Sequence, residues 1–260
     1  MRFYKTLVLS LVVGSCMSQL EHKKSRAQDS QYSDAEKAIV KMTNDFRSSS
    51  GFKQLTTSKP LHTAATKFAR FMLAEEKYGH QADGRRPAQR AEDAGYDYCV
   101  IRENIAYIVD PKHPDSSTIA SDFFNGWKTS EGHRENMLGE HLEETAVAVA
   151  SDNGKTFYAV QLFGRPASAK FKVDIENRTD ASQVLLFRTE DSRDEITIPP
   201  RTVLTLSRCI PTTISLESGN DRMTVTDSGK LTIAVSTDDK VRLAKQNKAY
   251  LKREPRLKLP

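Results

Sequence analysis

Three side chains in the first half of the chain have the chemistry to hold a ligand or activate water: His80, Glu103 and His133. They stand in Tyr78-Gly79-His80-Gln81-Ala82-Asp83-Gly84-Arg85, in Arg102-Glu103-Asn104-Ile105-Ala106, and in Gly132-His133-Arg134-Glu135-Asn136-Met137-Leu138. Two neutral imidazoles and a carboxylate are acceptable ligands for Zn²⁺ or another divalent cation, with positions left for water. Such a set would release its ion once either imidazole is protonated, near the ordinary histidine pKa of about 6.5. The same groups could instead hydrogen-bond to one another and tie three loops together, because buried polar groups must be paired. As a hydrolase the set would need a metal-activated water, with Glu103 or Glu131 as general base. No G-x-S-x-G, H-E-x-x-H or cysteine–histidine signature is present, so a binding cleft is expected rather than an enzyme, and no catalytic residue is assigned unless Glu103 serves as one.

The elements that must position these groups are read from periodicity. Ser33-Asp34-Ala35-Glu36 reads as a capping box that opens a helix carrying Ile39, Val40, Met42, Thr43 and Phe46. A second helix opens near Ser58 and Pro60, with a buried stripe of Leu61, Ala64, Ala65, Phe68, Ala69 and Met72. Pro87 to Ala94, closed by Gly95, is a short third helix, and Ile119, Phe123 and Trp127 mark a fourth. Thr145–Ser151 and Thr156–Phe163, joined across Asn153-Gly154, read as a hairpin, because both central positions tolerate positive φ. Helices packed on an antiparallel sheet are the expectation for this half.

After Pro166 the period becomes two. Phe171, Val173 and Ile175 alternate with charged residues, and short runs such as Val184–Phe187 and Leu231–Val235 repeat the habit between turn clusters. About seven short strands are expected over 168–240, forming a small all-β sandwich. Its two aromatics, Phe171 and Phe187, read as core, so the domain is expected to pack or to meet an envelope partner rather than to stack on sugars. The triplet Asn177-Arg178-Thr179 reads as a chance glycan acceptor.

The order of motifs carries a resemblance. His80, Asp83-Gly84-Arg85, Arg90, Ala94-Gly95-Tyr96, Glu103-Asn104-Ile105-Ala106, Trp127, Ser130, Gly132-His133-Arg134, Asn136-Met137-Leu138 and Tyr158–Gly164 together resemble the CAP superfamily. These are the cysteine-rich secretory, antigen 5 and pathogenesis-related proteins, here in a form similar to the bacterial ones. The resemblance implies an α-β-α sandwich over 33–166; with the all-β sandwich-like domain that the period of two predicts after it, the chain is expected to be α+β. The resemblance also implies a cleft with His80, His133 and Glu103 as metal or ligand groups, supported by Ser130, Asn104 and Arg134. The family's second acid falls on Ser130 in this chain. Glu131, one residue on, is the candidate for that place as a fourth metal group, although one residue turns a helical side chain by about 100°. The function implied is that of a secreted or surface-anchored protein that binds a small ligand or divalent ion. A metal-assisted hydrolase and a structural envelope protein are the alternatives.

Composition sets the surroundings. The chain has 260 residues with 39 basic and 34 acidic side chains. The excess of base lies in the first 26 residues and in 245–260, leaving the middle slightly acidic, which excludes a nucleic-acid binder. No run of about 18 apolar residues exists, so a polytopic membrane protein is excluded. Arg2 and Lys5 followed by Leu7–Val13 read as a signal peptide over 1–16. Val13-Gly14-Ser15-Cys16 resembles a lipoprotein box, with Cys16 as the lipidated residue and a lipid anchor as the sole membrane contact. A linker over 17–32 and a basic tail over 241–260 are expected to be solvated, and the protein is expected as a monomer. Cys99 and Cys209 either pair across a very long loop or stay as buried thiols. The thiol reading is preferred, because two cysteines are too few to define a framework.

Overall fold

The computed structural model describes residues 32–152, 154–189, 192–219 and 221–245. The signal peptide, Cys16, the linker up to Gln31 and residues 246–260 lie outside them. The chain divides into two units at Pro166/Ala167. Among the described residues no helix is long and apolar enough to cross a membrane.

The first unit runs α1 (Ser33–Ser49), β1 (Thr56–Thr57), α2 (Lys59–Glu75), α3 (Pro87–Asp93), β2 (Tyr98–Val109), α4 (Ser116–Thr129), α5 (Glu131–Leu138), β3 (Glu144–Ala150) and β4 (Thr156–Pro166). The sheet order is β1-β3-β4-β2. β4 is antiparallel to both β3 and β2, and β1 joins the far edge in parallel. The period of β4 is hidden because it is covered on both faces: eight successive residues from Phe157 to Gly164 are buried. One face carries Ile39, Ile119, Phe123, Trp127 and Met137 from α1, α4 and α5. The other carries the α2 stripe, with every residue of Leu61, Ala64, Ala65, Phe68, Ala69 and Met72 buried, together with Ala91 of α3. The result is an α-β-α sandwich.

Three details depart from the periodicity. α1 begins at Ser33 itself and no capping box forms. Glu36 is drawn away to hydrogen-bond His62 at 3.1 Å and to accept the Val149 N–H at 2.9 Å, closing part of the exposed edge of β3. The segment around Glu103 is a twelve-residue strand, and Glu131–Leu138 is a separate helix with only Met137 buried, hence with no apolar stripe to announce it.

The second unit holds β5 (Phe171–Asn177), β6 (Gln183–Arg188), β7 (Arg193–Ile198), β8 (Val203–Arg208), β9 (Thr212–Leu216), β10 (Arg222–Val225), β11 (Gly229–Val235) and β12 (Val241–Lys245). Two four-stranded sheets, β10-β9-β6-β7 and β12-β11-β5-β8, share one core that includes Phe171, Val173, Ile175, Phe187 and Ile214. β12 pairs with β11 where the charge pattern predicts the start of the basic tail, so the strand pattern runs on to Lys245. Asn177 is fully buried. Its Nδ2 donates to the carbonyls of Ala181, Ile198 and Pro199, and its Oδ1 accepts from Thr179. That residue organises a turn and has no free amide for a glycan. Cys99 and Cys209 are both disulfide-bonded, which overturns the preference for free thiols.

Candidate functional site

The site is built around a carboxylate that water scarcely reaches. Glu103 sits on β2 with its side chain 1% exposed. An isolated charge there would be costly, so it must be paired. Arg90, from the last turn of α3, supplies the partner: its Nη2 donates to both Glu103 oxygens, at 3.0 and 2.8 Å. The guanidinium is itself held by Asp83 Oδ1 at 2.8 Å, by the carbonyls of Arg85 and His80, and by the Phe68 ring, 3.5 Å from the guanidinium carbon. Thus α3 and the 80–85 loop are pinned to β2 through one arginine.

His80 completes the arrangement. Its Nδ1 lies 2.8 Å from Glu103 Oε1, while the side chain is 52% exposed. A carboxylate that accepts at Nδ1 fixes the ring's orientation and tautomer. His133 stands on α5, half-buried, and burial followed by the nearby His80 charge holds its pKa below the ordinary histidine value. α5 is positioned by amides. Asn104, fully buried, donates to the His133 carbonyl at 3.1 Å. Asn136 donates to Asn104 Oδ1 at 2.9 Å and to the Glu103 carbonyl at 3.0 Å. Beneath α5, the fully buried Arg47 donates to the carbonyls of Met137 and Gly139, at 2.6 and 3.0 Å, satisfying the helix end.

The sequence-predicted residues therefore separate. His80, Glu103, His133 and Asn104 are brought together. Ser130 links α4 to α5 without a side-chain capping bond, and Glu131 is exposed in the first turn of α5. Among the described residues, no hydrogen bond or ion pair ties Glu131 or the Arg134 side chain to the histidines. Arg90 carries the site's charge balance. It was legible only as a member of the motif run, since one arginine on a seven-residue helix looks like a solvated surface charge.

The donor set does not fit a three-residue metal centre. Glu103 Oε1 is taken by His80 and Arg90, and Oε2 by Arg90. Among the described residues no group of three or more His, Cys, Asp or Glu side chains is arranged to hold an ion. Two imidazoles remain outside that clamp, His80 half-exposed and His133 partly buried. A furrow of about 860 Å³ lies elsewhere in the unit, between α1 and α2, and its lining includes Glu36, Val40, His62 and Val147 but neither site histidine.

This α-β-α sandwich, with its histidines on a loop and on α5, matches a family model for the cysteine-rich secretory protein family, CAP, over residues 40–163. The first unit carries a CAP domain. The CAP domain is similar to solved structures of an outer surface protein from Borrelia burgdorferi (18% identity, 50% of this chain and 91% of that one, TM-score 0.43). An extracellular protein with an SCP domain from Bacillus anthracis matches at 23% identity, over 50% of this chain and 40% of that one, TM-score 0.41. A cysteine-rich secretory protein from Staphylococcus aureus matches at 17% identity, over 52% and 40%, TM-score 0.40. No curated protein matches the chain.

Proposed function

We propose that this is an exported protein whose CAP domain binds a small polar ligand between His80 and His133. The observation that supports this reading most is the clamp of Arg90 on Glu103, which orients His80 at Nδ1 and leaves its side chain half-exposed. A network serving the fold alone would have no need of a half-exposed ring at its end. His133, kept neutral near pH 7 by burial and by its neighbour, offers a second uncharged donor or acceptor. The signal-peptide reading of 1–16 and the lipoprotein box at Cys16 support a site of action outside the cytoplasm, and the all-β unit supplies a second surface there.

Imidazole-detected NMR of the full chain, titrated with a library of small polar fragments and separately with Zn²⁺, tests the proposal. The expected result is a fragment that perturbs the His80 and His133 rings together and loses its effect in His133→Ala. No response of either ring to any fragment would contradict it. Stoichiometric Zn²⁺ binding that disappears in Glu103→Gln would replace it with the metal-centre reading.

A further inference from the structure

β2 is the outer strand of its sheet, and its free edge is not treated alike along its length. The carbonyl of Glu103 is capped on that side by Asn136 Nδ2 at 3.0 Å. The carbonyl of Ile105 is capped twice, by the Tyr78 hydroxyl at 3.1 Å and by Trp127 Nε1 at 3.3 Å. Backbone groups alternate in direction along a strand, so Tyr107 and Val109 present their N–H and C=O to the same side. Among the described residues no hydrogen bond meets them there. The two residues are 53% and 63% exposed. Folded proteins blunt such edges with charge, proline or a cover; here the charge and proline come only after the strand, at Asp110 and Pro111, and Tyr107–Val109 itself carries neither. What complements two outward N–H and C=O pairs at strand spacing is another peptide backbone.

The side chains say which kind of peptide. The Tyr107 ring meets Tyr78 edge-on at 5.1 Å and 72°, and Tyr158 in a stack at 5.8 Å. The two charged side chains that act on the Tyr158 phenol, Glu76 and Asp152, are both carboxylates. Two half-exposed tyrosine faces, Tyr78 and Tyr107, with those carboxylates acting on the ring stacked against Tyr107, favour a cation.

We propose that the Tyr107–Val109 edge of β2 is a docking strip for an extended peptide that adds as a strand and sets a lysine or arginine side chain against the Tyr78–Tyr107 pair. The strip shares β2 with the His80 site but none of that site's hydrogen-bonding side chains, so either assignment can fail without the other. Two outward positions make it a weak, transient contact of the kind that edge pairing gives.

The test uses the ¹⁵N-labelled full chain and three capped pentapeptides: Lys-Val-Lys-Val-Lys, its glutamate counterpart, and the lysine peptide N-methylated at alternate amides. The lysine peptide is expected to shift the Tyr107 and Val109 amide signals. The other two should bind about tenfold more weakly, the N-methylated one because it cannot complete the ladder. Val109→Pro removes one outward N–H without breaking a bond to β4, and should weaken the lysine peptide to a similar degree with the His80 and His133 signals unmoved. Should that variant fold poorly, the N-methylated peptide on the unaltered chain decides alone. Equal binding of the N-methylated or the glutamate peptide overturns the proposal. So does the absence of shifts at Tyr107 and Val109 with millimolar lysine peptide.

Discussion

Replacing Glu103 by Ala would leave the Arg90 guanidinium buried with Asp83 as its remaining carboxylate partner and His80 without its orienting contact. Breaking a buried pair in this way costs about 3–5 kcal/mol, so Glu103→Ala should lower the unfolding free energy by that order in a denaturant titration. Glu103→Gln keeps the shape and one acceptor, and should cost less. His133 makes a prediction of opposite character. Its folded pKa is depressed, first by burial and then by His80, so the unfolded chain takes up its proton more readily. The stability from this group is complete above the ordinary value of about 6.5 and is lost as pH falls below it towards the folded pKa. Unfolding followed from pH 8 downward should show that loss, and His133→Gln should flatten it. Among single residues, the histidines and Glu103 were legible because their types are scarce and their order is specific. Arg90 and Asn136 were not legible as positioning groups, because ordinary polar residues gain a role only when a strand comes to lie beside them.

At the scale of elements, His133 reaches the site only if α5 is seated, and three polar residues from α1, β2 and α5 itself seat it. Arg47 spans 90 residues of sequence to reach the Met137 carbonyl. Arg47→Met should therefore strand the carbonyls of Lys53, Met137 and Gly139, costing about 1–3 kcal/mol for each group left unpaired, and should broaden or shift the His133 signals. A thermal melt together with the histidine spectrum checks both effects. The amphipathic helices α1, α2 and α4 were readable, since a 3.6-residue stripe is the direct trace of one buried face. α5 lacks that trace, and β4 loses the period of two because helices cover both its faces. The supposed capping box failed for a related reason: Glu36 found the Val149 amide and His62, contacts 113 and 26 residues away. Local pattern carries no information about such partners.

For the whole molecule, each unit closes its own core, so damage in one should be felt weakly in the other. Asn177→Ala removes three donated bonds from a fully buried turn in the second unit, and should destabilise that unit by about 3 kcal/mol or more. Calorimetry should show its transition moved down while the His80 and His133 resonances keep their positions. The α+β division was legible from the change of period after Pro166. The course of the chain at Val241–Lys245 was not, because basic residues at 242 and 245 mask the alternation around Leu243.

The central claim is that two imidazoles from distant parts of the chain share one face, with the carboxylate beneath them clamped by Arg90. The most direct measurement is the pKa of His133 by NMR, in the unaltered protein and in His80→Gln. Below the ordinary histidine value at first, it should rise when His80 is replaced, and burial should keep it from recovering fully. A His133 that titrates at or above the ordinary value, and does not move on replacement of His80, would contradict the account.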